Sequence, residues 1–98
     1  MDIYHVETLP MVKESFAKIF LNKAKFLKSG AENFRNEYKK ALKNLKVIPQ
    51  SGGSIFIGYH TKVIMGCVLL YRIDEVKKIV SVFDIVDPRQ DTKARKYR

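Results

Sequence analysis

Residues 58–91, GYHTKVIMGCVLLYRIDEVKKIVSVFDIVDPRQD, constrain this chain more than any other stretch. They hold three apolar runs separated by turn residues. The first is Tyr59–Met65, closed by Gly66. The second is Cys67–Ile73, closed by Asp74-Glu75-Val76-Lys77-Lys78. The third is Ile79–Val86, closed by Asp87-Pro88. Val, Ile, Leu, Phe and Tyr dominate each run, so three consecutive β-strands in a meander are expected.

Upstream, Asp2–Glu7 alternates enough for one more short strand, with Ile3 and His5 on one face and Tyr4 and Val6 on the other. Thr8 can cap a helix and Pro10 suits its first turn. Leu9, Val12, Phe16, Ile19, Phe20, Ala24 and Leu27 recur at helical spacing over Pro10–Lys28. Ser29-Gly30 should end that helix. A second helix is expected over Ala31–Leu45, with Phe34, Tyr38, Ala41, Leu42 and Leu45 as its apolar stripe. So short a connection makes an antiparallel helical hairpin. Pro49 stops the second helix, and Gln50–Ser54 reads as loop. The expected fold is α+β in the order β-α-α-β-β-β, with the helical hairpin packed on a mostly antiparallel four-stranded sheet.

Ninety-eight residues make a single domain over 1–98, and 46% hydrophobic content is enough for a core. The lone Cys67 excludes an internal disulfide and reads as a buried thiol. His5, His60 and Cys67 lack metal-ligand spacing, and Gly52-Gly53 lacks the Lys of a phosphate loop. No cofactor or metal is expected. No signal peptide is visible and no stretch has the length of a membrane helix, so a cytoplasmic protein with no membrane partner is expected.

The net charge of +9 is unevenly spread. Residues 13–46 carry ten Lys/Arg against three Glu, and residues 89–98 carry five against one, whereas residues 47–88 balance. Such a field attracts nucleic acid, the ribosome or an acidic protein. Both residue parities of the last two strands are largely apolar. The hairpin can cover only one sheet face, so the other is expected to receive a partner.

Two phrases carry a family resemblance. One is Tyr71-Arg72-Ile73-Asp74 followed by Arg89-Gln90-Asp91. The other is AENFRNEYKKALKNLKVIPQSG, residues 31–52, with its Ala-x-x-Phe start and Pro-x-Ser-Gly exit. Their order and spacing resemble the RelE/ParE superfamily of bacterial toxin–antitoxin modules. The resemblance implies a growth-inhibiting toxin neutralised by direct contact with a cognate acidic antitoxin. It implies either DNA gyrase or the ribosome and its mRNA as target. Ribosome-dependent members cut mRNA with cations that stabilise the phosphorane and a base that activates the 2′-hydroxyl. Arg89 matches the arginine that follows their last strand, and Tyr97 lies in the region of their terminal tyrosine. Their second arginine falls at Val68, which is more like the gyrase-directed ParE branch. A non-toxic module of the same fold is the further alternative.

Candidate target or nucleic-acid contacts are Lys62, Arg72, Arg89, Lys93, Arg95 and Lys96. Candidate antitoxin contacts are Val80, Val82 and Val86. Arg72 is equally suited to pair with Asp84 on the next strand, and Lys62 with His60 to a solvated edge. Asp87, Pro88 and Gln90 have the pattern of a helix start, so residues 88–98 are expected as a basic tail or short helix.

Overall fold

The computed structural model describes residues 3–56 and 59–89, with the side chains of residues 55 and 56 excepted. Strand β1 (His5–Thr8) leads into helices α1 (Pro10–Phe26) and α2 (Lys28–Leu45). A single 3-10 turn (Pro49–Ser51) leads to β2 (Gly53–Phe56), β3 (Tyr59–Ile64), β4 (Cys67–Asp74) and β5 (Ile79–Val86). The sheet has five strands in the order β1-β5-β4-β3-β2. All neighbours are antiparallel except β1, which runs parallel to β5. The long excursion through the hairpin and three strands makes that parallel pairing possible.

Three expectations are corrected. Gly53 and Ser54 are not loop: they pair with Thr61 and His60 and add the fifth strand. The helices part at Leu27, whose extended backbone (φ −158°, ψ 116°) both ends α1 and precedes α2. Ser29 and Gly30 lie inside α2, because the Leu27 carbonyl accepts from the Gly30 and Ala31 amides at 3.0 and 3.3 Å. Finally, Leu9 rather than Thr8 precedes α1, with no side-chain cap. Its amide donates to the Val82 carbonyl at 2.9 Å, which ties the helix entry to β5.

The helical hairpin closes on aromatic packing. Phe16 of α1 lies 5.2 Å from Phe34 and 4.6 Å from Tyr38 of α2, centroid to centroid. Fully buried Ala31 offers only a methyl group at the helix contact. Val12, Ile19, Phe34 and Leu45 then meet Cys67, Leu69, Tyr71, Val80, Val82 and Ile85 of the sheet in one core cluster.

A bulge sets which strand residues join that core. Tyr71 faces Val82, but Leu70 faces Asp84, so Phe83 is an extra residue in β5. The inward parity therefore switches from Val80 and Val82 to Ile85. This accounts for the apolar character of both parities. Phe83 turns to the opposite face, where its ring meets Tyr59 edge-on at 5.8 Å.

The turns obey simple backbone rules. Met65 (φ 49°) and Gly66 (φ 84°) form the two-residue β3–β4 turn with both residues left-handed. In the β4–β5 turn the Asp74 carboxylate accepts from the Val76 and Lys77 amides at 3.1 and 3.0 Å. At the other end, buried Tyr71 donates its hydroxyl to the Pro49 carbonyl at 2.6 Å. A Cβ on Gly52 would run into that hydroxyl and the Thr61 carbonyl.

Two substitutions test this account by thermal melting. Met65→Asn should stabilise by about 1 kcal/mol, because Asn accepts the left-handed conformation that Met tolerates poorly. Gly52→Ala should lower Tm by more than Met65→Asn raises it, because backbone as well as side chain must move. An unchanged Tm for Gly52→Ala would contradict the close packing around Tyr71.

Candidate functional site

Arg89 is the candidate whose side chain is most firmly placed. The chain leaves β5 through Asp87, whose side chain is 2% exposed. Its Oδ1 accepts from both the Arg89 amide (3.0 Å) and Arg89 Nε (3.1 Å). Arg89 Nη2 donates to the Met65 carbonyl at 3.4 Å. Any side chain at Gly66 would press on the guanidinium, since a Cβ there would lie 3.1 Å from Nη2. The arginine therefore ties the end of β5 to the β3–β4 turn while staying 63% exposed. Hydrogen bonding and charge from Asp87 raise its already high pKa, so it is a permanent cation.

Opposite Arg89 stands a strip of α1. Lys18, Leu21, Asn22 and Lys25 line one groove with it. Their spacing of three and four residues puts them on one helix face. The sequence reading missed this groove, although a second stripe beside the apolar one was there to be found.

The other candidates lie elsewhere. Lys62 faces Leu69 across β3–β4, on the helix-covered side. It lines a shallow groove with Glu37, Lys40 and Asn44 of α2. Arg72 is on the opposite, open face, between Tyr59 and Ser81, with its guanidinium 5.3 Å from the Tyr59 ring centroid. The cross-strand partner of Asp84 is Leu70, not Arg72, and its carboxylate accepts from Ser15 of α1 at 2.7 Å. Arg72 and Arg89 sit at opposite ends of β4, roughly 20 Å apart by strand rise. Lys93, Arg95, Lys96, Tyr97 and the expected tail or helix lie outside the described residues.

Val80 and Val82 are fully buried under the helices and present no surface to a partner. Of the three proposed antitoxin contacts only Val86 reaches the open face, opposite Val68. That face also carries Val63, which is 70% exposed, and Phe83. Leu70 is buried there at 5% exposure, yet is not part of the helix-side cluster. Among the described residues no group of three His, Cys, Asp or Glu could hold a metal ion. None of the described helices is long and apolar enough to cross a membrane.

Cys67 lies beneath Arg89. Burial, and then the negative charge of Asp87, push its thiol above the ordinary range. A raised folded pKa means that the unfolded thiol ionises first, so stability falls as pH rises through the unfolded value. Cys67 should therefore react with a thiol reagent at pH 8 only as the chain opens, with a rate that rises with denaturant. Rapid labelling of the native protein would contradict the burial.

No protein-family model matches the sequence, and no curated protein does. Solved structures do. A chain of the chromosomal ParDE TA system from P. aeruginosa superposes with a TM-score of 0.71 at 13% identity, over 87% of this chain and 96% of that one. A chain of the toxin–antitoxin complex RelBE2 from Mycobacterium tuberculosis gives 0.59 at 18% identity, over 86% and 96%. Two helices followed by an antiparallel meander, with the first strand parallel to the last, give this chain the RelE/ParE fold.

Proposed function

We propose that this chain is the toxin of a type II toxin–antitoxin pair, bound and neutralised by a cognate acidic antitoxin, and that it acts on a protein target such as DNA gyrase. The similar folds belong to toxin–antitoxin assemblies, which supports the module reading. The observation that carries the choice of target is the dispersal of the three described candidates, Lys62, Arg72 and Arg89. Cleaving a phosphodiester requires positive groups that converge on one phosphate. Here Lys62, Arg72 and Arg89 occupy the helix side, the open face and the hairpin end in turn. Val68 occupies the remaining position, half-buried beside Val63 and Val86. A surface of that kind suits protein contact better than phosphate chemistry.

The antitoxin surface in this reading is the open sheet face around Val63, Val68, Phe83 and Val86. The net charge of +9 draws an acidic partner to the chain. Val63→Asp should weaken antitoxin binding by about tenfold or more with Tm unchanged, because the side chain is largely exposed and a buried charge at an interface is costly.

The function is tested by inducing the chain without antitoxin and pulse-labelling DNA and protein. Thymidine incorporation should fall first and the cells should filament. Protein synthesis falling first, with transcripts cut on the ribosome, would make the chain an mRNA endonuclease. Unaffected growth would leave a non-toxic interaction module.

A further inference from the structure

The outer end of the helical hairpin presents apolar side chains where a turn between helices ordinarily presents polar ones. The last buried residue of α1 is Ile19, and the first of α2 is Ala31. None of residues 20–30 is buried, and Lys25, Phe26, Leu27, Lys28 and Ser29 are exposed in succession. Phe26 is 82% exposed and Leu27 63%. Leu27 takes its extended backbone where the helices part, so the pair stands at the hairpin tip rather than in a groove. Such a pair gains nothing for the fold and is available to a partner.

The charge around the pair is of one sign. Lys23, Lys25 and Lys28 surround it, and residues 15–31 hold no Asp or Glu. The partner is therefore anionic. A tip of five exposed residues is far short of the roughly 20–30 residues a side that a stable protein interface uses. A soft anionic surface asks for less. It needs an aromatic and an aliphatic side chain that can enter its apolar boundary, and lysines whose stems reach back to its headgroups.

We propose that the hairpin tip docks on an anionic phospholipid surface, with Phe26 and Leu27 at the headgroup–acyl boundary and Lys23, Lys25 and Lys28 on the lipid phosphates. Two apolar side chains and three lysines make this a peripheral, reversible contact rather than a permanent anchor. Such docking needs no spanning helix. It departs from the expectation of no membrane partner without conflicting with the lengths of the described helices. The tip is not part of the open sheet face, which stays free. The inference does not depend on the toxin reading, and its readout is vesicle binding by the purified chain rather than growth.

The chain holds no tryptophan, so Phe26→Trp supplies a single fluorescent reporter at the tip. Its emission should shift to the blue on mixed phosphatidylglycerol–phosphatidylcholine vesicles, whereas Val63→Trp on the open sheet face should keep its emission. The wild-type chain should co-sediment with the mixed vesicles and not with phosphatidylcholine alone. Lys25→Gln/Lys28→Gln should weaken that binding by about 30-fold, from about fivefold for each lysine. Phe26→Ala/Leu27→Ala should weaken it by about tenfold or more at unchanged charge and Tm. A charge-matched control on α2, Lys39→Gln/Lys43→Gln, should cost much less. Equal losses in the two lysine variants would reduce the effect to net charge and overturn the proposal. So would full binding by Phe26→Ala/Leu27→Ala, or an unshifted Phe26→Trp on the mixed vesicles. A blue shift that grows with protein concentration and needs no vesicles would give the tip to a second copy of the chain and overturn the choice of lipid.

Discussion

The bulge at Phe83 is the constraint on which the rest of the molecule depends. In a regular strand, Asp84 and Val86 would continue the inward series begun by Val80 and Val82. The extra residue hands that role to Ile85, and Asp87 follows it beneath the surface. Asp84 still reaches α1, through Ser15, and its carboxylate also accepts from the Ile85 amide at 2.8 Å. One inserted residue thus completes the core with Ile85 and places a buried acid under Arg89, while Phe83 keeps the open-face position that regular alternation gives it. Arg89 then clamps the β3–β4 turn, so the exit of the last strand and the tightest turn of the sheet are fixed together.

The far end of the sheet is held by polar side chains. Tyr4 donates its hydroxyl to Glu75 at 2.8 Å, and Gln50 Nε2 donates to both Tyr4 and Glu75 at 2.6 and 2.9 Å. The hydrogen bonds from Gln50 and Tyr4 hold the Glu75 carboxyl below its ordinary range, so it stays ionised beside Lys78. These contacts join the residue that precedes the first strand, the turn after α2 and the β4–β5 loop, segments up to 71 residues apart. With both ends fixed, the open face is a supported platform. Among the described residues, its apolar side chains are held in place by neighbours on the strands rather than by a covering helix. Such a surface needs little rearrangement to receive a partner.

Much of this was legible in the sequence. Apolar runs bounded by turn residues marked β3, β4 and β5, and the limits of β5 agree residue for residue with the expected Ile79–Val86. Helical spacing marked both helices, and their short connection marked the hairpin. The open face was legible too, since the one helical hairpin among the described residues covers a single side of the sheet. What failed rested on contacts distant in sequence. Gly53 and Ser54 form a strand because β3 supplies partners, not because of their own propensity. Leu27 breaks the helix ahead of the more obvious Ser29-Gly30. The bulge has no local signal, so Val80 and Val82 read as surface when they are core. Arg89 stood out by its place after the last strand. The wall of α1 opposite it depends on tertiary packing that no local pattern announces.

The proposed action through protein contact rests on Lys62, Arg72 and Arg89 lying too far apart to converge on one phosphate. The most direct measurement adds the purified chain to two reactions, supercoiling by DNA gyrase and extension-mapped mRNA on stalled ribosomes. Inhibited supercoiling and intact message are the expected result. Message cut at the ribosomal site, with supercoiling untouched, would contradict it.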